Sequence, residues 1–172
     1  MVEERLIDQA IRGDRAARAA LLRQMQDRWF RFAVSQLSSV DLAEDAVQES
    51  AMRVLTSLGK FDRRSTFSTW SLGIVLNVCR EMRRKRVNQR LDDSPEPSAE
   101  HAHPIEQNDV VARLREALSE LPERQREALA LRFFEELSVE QTAGTMKCAE
   151  GTVKATVHQA LKALREKLKS LR

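Results

Sequence analysis

The chain has 172 residues, of which 29 are Lys or Arg and 26 are Asp or Glu, for a net charge of +3. That length suits one medium domain or two small ones, and 42% hydrophobic residues beside 32% charged residues are enough to build cores. Tyr is absent and there are only 5 Gly and 4 Pro, which argues against an all-β fold with its need for turn residues and β-formers.

In chain order the sequence reads as helix after helix. Leu6, Ile7, Ala10 and Ile11 repeat at helical spacing and stop at Gly13. Asp14 is the expected cap of a second helix carrying Ala17, Leu21, Leu22, Met25, Trp29, Phe32 and Ala33. Ser39 or Asp41 caps a third, with Leu42, Val47, Ala51, Val54, Leu55 and Leu58 inward and Gly59 at its end. Ser65 or Thr66 starts a fourth, which runs through Trp70, Ile74 and Val78 into a basic stretch. Further on, Val110 to Leu121 is helical, and Pro122 is expected in the first turn of a helix to about Glu135, where its missing N–H is harmless. Ser138 and Gln141 have capping-box spacing and open a short helix to Met146. Lys147 to Ala149 then turn into a long last helix.

Between the two helical sets, Asp92 to Asp109 hold six acids, no Lys or Arg, and three prolines (Pro95, Pro97 and Pro104). Such composition marks a tether with little structure of its own. The expected organisation is all-α: a four-helix domain over 1–90, an acidic tether over 91–108, and a small four-helix domain over 109–172. Removing the six negative charges from a net of +3 leaves +9 on the rest. Much of it lies in Arg80, Arg83, Arg84, Lys85, Arg86 and Arg90, opposed by Glu81 alone, and in seven bases among the last 28 residues. A single basic run is as well explained by a solvated helix face. Two basic domains on one tether point to a polyanion partner.

The stretch from Leu137 to Leu164 has helix-turn-helix form. Val153, Val157, Leu164 and Leu168 make an inward stripe, while Thr152, Lys154, Thr156, His158, Gln159 and Lys162 fall largely away from it. The second helix of such a motif enters the major groove and meets base edges with its N-terminal half. An ordinary helical hairpin gives the same pattern. A second unusual segment, Lys60 to Trp70, mixes aromatics, hydroxyls and cations between two helices. That mixture suits single-stranded nucleic acid, whose bases stack on rings while phosphates meet Arg. Phe61, Phe67 and Trp70 can equally be core, and Trp70 is expected to be, because Ile74 and Val78 continue its stripe.

Other function classes find little support. His101, His103 and His158 are the only histidines, and no Gly-rich phosphate loop is present. No catalytic constellation, metal site or cofactor is therefore expected. Cys79 and Cys148 lie far apart without a CxxC pattern and read as reduced, partly buried thiols. No apolar run approaches the about 18 residues of a membrane span. Acids in Met1 to Arg5, where a signal peptide has bases, suggest a cytoplasmic protein.

Several segments together carry a family resemblance: Asp41-Leu42-Ala43-Glu44-Asp45-Ala46-Val47-Gln48-Glu49, Phe61-Asp62, Phe67-Ser68-Thr69-Trp70, Asn77-Val78, Leu121 to Glu127, Leu137-Ser138 and Gly151 to Lys154. In this order and spacing they resemble bacterial sigma factors of the extracytoplasmic-function (ECF) class, over nearly the whole chain. The resemblance implies a promoter-specificity subunit that binds core RNA polymerase, recognises −35 and −10 elements and promotes DNA opening. It implies that Asp41, Glu44, Asp45, Gln48 and Glu49 face the β′ clamp helices. It assigns the −10 element to Phe61, Asp62, Arg63, Arg64, Ser65, Thr66, Phe67 and Asn77, with Arg80, Arg83 and Arg84 on upstream phosphates. It assigns the −35 element to Thr152, Lys154, Ala155, Thr156, His158, Gln159 and Lys162, in a domain that also touches the β flap. Thr156, Gln159 and Leu161 stand where that family often has Arg, which changes the expected base preference. An anti-sigma factor is an implied partner, and membrane insertion is not implied. The competing expectations are a stand-alone helix-turn-helix regulator, which has no need of the loop at Lys60 to Phe67, and an adaptor that binds only proteins.

Overall fold

All elements among the described residues of the computed structural model are helical; those residues are 4–92, 114 and 116–170. They fall into two units, Met1–His101 and Ala102–Arg172.

In the first unit α1 (Glu4–Ile11) ends at a sharp turn where Gly13 has φ +97°, a left-handed value that favours glycine. Asp14 follows, and its carboxylate accepts the Ala17 N–H at 2.7 Å to cap α2 (Arg15–Leu37). Arg18 Nε donates to the Ala10 carbonyl at 3.0 Å, so a cation satisfies the C-terminal end of α1. Ser39, not Asp41, caps α3 (Val40–Ser57). A 3₁₀ turn at Leu58–Lys60 leads to a loop and then to α4 (Phe67–Asp92), which Thr66 caps by accepting the Thr69 N–H at 3.1 Å.

The core of this unit is built around α2. Leu21, Met25, Trp29, Phe32 and Ala33 are all buried, against α1, α3 and α4. Burial of each large side chain stabilises by about 1.5–3 kcal/mol. The Trp29 indole N–H donates to Ser71 Oγ at 3.1 Å, and the Ser71 hydroxyl donates to the Ser68 carbonyl at 3.0 Å. This buried bond sets the register of α4 on α2. At the other end, Arg83 Nη1 donates to the Gln36 carbonyl at 3.1 Å, near the C-terminus of α2.

Two inward stripes differ from expectation. On α3 the buried residues are Ala43, Ala46, Val47, Ser50 and Val54, while Leu42, Ala51 and Leu55 are half-buried. Small residues face the large side chains of α2, and the bigger ones lie at the edge. On α4 the buried face contains Phe67, Ser71, Leu72, Val75, Leu76 and Cys79. Trp70 and Ile74 therefore sit on its flank, half-buried, although Val78 is buried. α4 also continues through Leu91 and Asp92, the first residues read as tether. The rest of that tether, and residues 110–113 of the helix expected after it, lie outside the described residues.

The second unit has helical residues at 116–119, then α5 (Glu123–Leu129), α6 (Val139–Met146) and α7 (Glu150–Ser170). Pro122 is the residue before α5, with ψ 144°, and not its first helical residue. α5 passes into a π-helical turn at Ala130–Phe134, where Glu135 N–H donates to the Ala130 carbonyl at 3.0 Å. Leu131 and Leu137 stay buried, and Phe133 and Phe134 turn outward. Leu121, Leu129 and Ala160 form a core, with Leu118, Val157, Ala163 and Leu164 packed against it. Cys79 is buried and Cys148 half-buried, and neither is in a disulfide.

Ser71→Ala should destabilise this N-terminal unit by about 1–3 kcal/mol, because it leaves the buried indole N–H unpaired. Both tryptophans of the chain, Trp29 and Trp70, lie in this unit, so urea unfolding followed by tryptophan fluorescence reads the loss directly.

Candidate nucleic-acid interface

The loop from Phe61 to Thr66 is held from below by rings. Phe61 and Phe67 meet edge to face with centroids 5.7 Å apart, and Trp70 lies 5.2 Å from Phe61 and 5.6 Å from Phe67. Phe61 and Phe67 are buried. Their rings brace the loop in this structure and do not offer an open stacking face; Trp70 is the more exposed of the three. Asp62, Arg63, Arg64 and Thr66 are exposed and Ser65 is half-buried.

The loop is also organised by its own polar groups. Asp62 Oδ1 accepts the Arg64 N–H at 3.2 Å, an Asx-type turn that arches over Arg63. Arg63 adopts φ +62° and its guanidinium pairs with Asp8 of α1. Arg64 Nε lies 3.2 Å from Asp62 Oδ2, yet its side chain is 89% exposed and open to a phosphate. Thr66 has a structural task as the α4 cap, and its hydroxyl pairs with that of Thr69 at 2.9 Å.

Along α4, Asn77, Arg80 and Arg84 are spaced three and four residues apart and share a face. At 1.5 Å per residue, Phe67 to Arg84 spans roughly 25 Å. Arg84 and Lys85 are exposed and Arg80 is half-buried. The Arg83 guanidinium donates to the α2 carbonyl described above.

In the second unit the capping box is complete: Ser138 Oγ accepts the Gln141 N–H at 3.0 Å, and Gln141 Oε1 accepts the Ser138 N–H at 2.9 Å. Lys147, at φ 54°, ends α6 in the left-handed region, and Cys148 N–H closes the turn on the Ala143 carbonyl at 3.0 Å. Arg124 Nη1 reaches both the Met146 carbonyl and the fully buried Glu127 carboxylate, each at 3.3 Å, and so ties α5 to the end of α6. On α7, Val153 and Ala160 are buried. Thr152, Lys154, Ala155, His158, Gln159 and Lys162 are exposed, and Thr156 is half-buried. The outward set therefore stands on one helix positioned by a capped turn. Leu161 joins it with 40% exposure.

Asp41, Glu44, Asp45, Gln48 and Glu49 are all exposed on α3, on one face at helical spacing. Three of them line a groove of about 420 Å³ between α3 and α4, together with Met52, Arg53, Val78, Glu81, Met82 and Lys85. Met52 is 66% exposed. Arg53 crosses this groove: Nε bonds Glu49 at 2.7 Å, and both terminal nitrogens bond Glu81 at 2.8 and 2.7 Å. Hydrogen bonding from Arg53 holds the Glu81 carboxyl below its usual 4.5 against the opposing cost of burial, with the charges of Arg53, Arg84 and Lys85 adding to the lowering. The Arg53 guanidinium is correspondingly raised by Glu81 first and Glu49 second. Met52 and Arg53 are not among the residues singled out from the sequence, and Glu81 enters there only as the one acid within the basic run. The four-residue step from Glu49 to Arg53 was a usable signal for one of these contacts.

Among the described residues no helix is long and apolar enough to cross a membrane, and no cluster of His, Cys, Asp or Glu could hold a metal ion.

Residues 21–89 match the family model for Sigma-70 region 2, and residues 112–164 match the model for Sigma-70, region 4. The chain is 34% identical to the ECF RNA polymerase sigma factor EcfG of Rhodopseudomonas palustris over 81% of this chain and 76% of that protein. It is 31% identical to the ECF RNA polymerase sigma factor SigX of Bacillus subtilis over 83% and 79%. Among solved structures, the sigma factor RpoE in complex with the anti-sigma factor NepR, from Bartonella quintana, superposes with a TM-score of 0.75 at 30% identity, covering 90% of this chain and 98% of that one. CnrH, in complex with the cytosolic domain of CnrY, shares the fold with a TM-score of 0.75 at 22% identity over 99% of both chains.

The Glu81 carboxyl is depressed in the folded state, so its contribution is present above the usual carboxylate value and is lost as pH falls through the folded value. Glu81→Gln should cost about 0.2–1 kcal/mol at neutral pH, the scale of a pair more than one-third exposed. Thermal melts of the two proteins should converge as pH drops below 4.5; a gap that stays constant with pH would contradict the assignment.

Proposed function

The chain belongs to the ECF RNA polymerase sigma factors, and from that premise we propose that it binds core polymerase and reads a two-element promoter with its two helical units. Sigma factors are binding subunits, and the polymerase performs the chemistry. The exposed loop at Asp62 to Thr66, braced by buried rings at the head of a basic helix, is the observation that carries the reading. A stand-alone helix-turn-helix regulator needs only the second unit.

In this reading the 62–66 loop captures a base of the melted −10 strand. Arg64 supplies a phosphate contact, and Asn77, Arg80 and Arg84 follow the upstream backbone. Phe61 and Phe67 act from within, as braces. Opening costs roughly 1.4 kcal/mol per stacked step, and each base stacked on protein returns about 1–3 kcal/mol. A few captured bases together with polymerase contacts therefore hold a short bubble without a motor. The α7 face from Thr152 to Lys162 reads the −35 element in the major groove. Lys154 and Lys162 suit guanine or phosphate, and Gln159 suits adenine. The acidic face of α3 and the groove beside it meet a basic helical surface on polymerase, the β′ clamp, with Met52 as an apolar anchor. The boundaries at 1–90, 91–108 and 109–172 divide these tasks, with the acidic tether kept off DNA by its charge. A promoter-binding role implies a cytoplasmic location. Control by an anti-sigma factor is supported by the RpoE–NepR complex, whose sigma chain this one resembles over most of its length.

Co-purification with core polymerase tests the first step: the chain should associate tightly with polymerase and only weakly with promoter duplex alone. Tight duplex binding without polymerase would favour the stand-alone regulator.

Two sets of variants separate the tasks. Lys154→Glu should lower affinity for the −35 duplex about tenfold or more while core binding is unchanged; equal loss of both would count against the assignment. Arg64→Ala with Ser65→Ala should reduce open-complex yield more than closed-complex formation, as read by permanganate reactivity. Thr66 is left intact because its loss would also remove the α4 cap.

A further inference from the structure

We propose that α1 presets the strand-capturing loop through the Asp8 carboxylate, which makes Asp8 a positioning residue for promoter opening. The proposal rests on the reading of the 62–66 loop given above. α1 precedes the region 2 match at 21–89, so nothing in that likeness assigns it a task. It is nevertheless built firmly into the unit. Ile7 and Ala10 are buried, Arg18 holds the Ala10 carbonyl, and α1 packs on α2 and on the 3₁₀ turn that leads into the loop.

Asp8 lies on the face of α1 that reaches the loop and pairs with Arg63, 55 residues away in sequence. The loop's own bonds described above, Asp62 to Arg64 and Thr66 to Thr69, are local. The Arg63 pair is a tie to a different element. Arg63 also sits at φ +62°, a left-handed conformation disfavoured for a residue with a Cβ and with no side-chain amide or carboxylate to compensate. A residue keeps such a conformation when its surroundings over-determine it. Asp8 on one side and the Asx-type turn on the other do so here. The two neighbouring arginines then have different tasks: Arg63 is turned back to α1 as a strut, and Arg64 faces solution.

The alternative role for Arg63, direct contact with DNA, predicts the opposite sign. Asp8 would then compete with phosphate for the same guanidinium, and its removal would strengthen opening. As a strut, its removal weakens opening.

The experiment uses full-length protein in reconstituted holoenzyme, on a promoter identified by transcript mapping, with permanganate reactivity at −10 as the readout. Asp8→Asn should lower open-complex yield about three- to fivefold, the scale of one half-exposed ion pair, with polymerase affinity and closed-complex formation unchanged. Asp8→Glu should retain most of the yield. Asp8→Arg should be defective, and adding Arg63→Asp should restore opening. An unchanged or increased yield for Asp8→Asn, or failure of the charge exchange to restore opening, overturns the proposal. If Arg64→Ala with Ser65→Ala is defective while Asp8→Asn is not, the strut fails and the loop reading stands. If neither affects opening, the loop reading itself fails.

Discussion

The hydrogen bond from the Trp29 indole to Ser71 fixes where everything on α4 stands. It is buried and directional, and it joins the central helix of the unit to the helix that carries Phe67, Asn77, Arg80 and Arg84. With that register set, Phe67 drops into the ring cluster under the loop, and Asn77, Arg80 and Arg84 share one face, with Arg84 exposed and the other two half-buried. Glu81 comes opposite Arg53 at the edge of the α3 groove. A one-residue rotation of α4 would turn each of these away by about 100°. The surfaces proposed for polymerase and for DNA thus both depend on how α4 packs on α2.

The charge of this protein acts at two levels. Globally, the six acids between Asp92 and Asp109 mask how basic the two units are. Locally, the cations divide into those that hold the fold and those that face outward. Arg18 and Arg83 close helix ends, Arg53 bridges two carboxylates, and Arg63 reaches back to α1. Arg64, Arg84, Lys85 and Lys154 point to solution. Each cation that neutralises a phosphate adds about −0.9 to the log–log salt slope, so under the proposed reading the outward set would govern salt dependence.

Much of this was legible in the sequence where the signal is local. Asp14, Ser39, Thr66 and the Ser138–Gln141 box cap their helices as residue type and spacing require, because a cap depends on three or four consecutive residues. The outward placement of Lys154, His158 and Lys162 followed from the apolar stripe on the same helix. What failed was tertiary. Trp70 was expected inside because Ile74 and Val78 repeat every four residues, but such a line drifts around a helix of 3.6 residues per turn. α4 turns Phe67, Ser71 and Val75 toward α2 instead. Nothing in Ala130 to Phe134 announces a π turn, since one extra residue per turn is paid in packing against Leu131 and Leu137 and not in composition. Arg63 and Arg64 are adjacent and chemically identical, and only the neighbouring α1 distinguishes them.

The central claim is that two separately positioned surfaces, one for melted strand and one for duplex, act together only on polymerase. Mapping transcript starts on genomic DNA, with core polymerase in the presence and absence of this chain, tests that claim most directly. The account predicts starts that depend on the chain and share two upstream elements at constant spacing. Tight, polymerase-independent binding to duplex with no chain-dependent starts would contradict it.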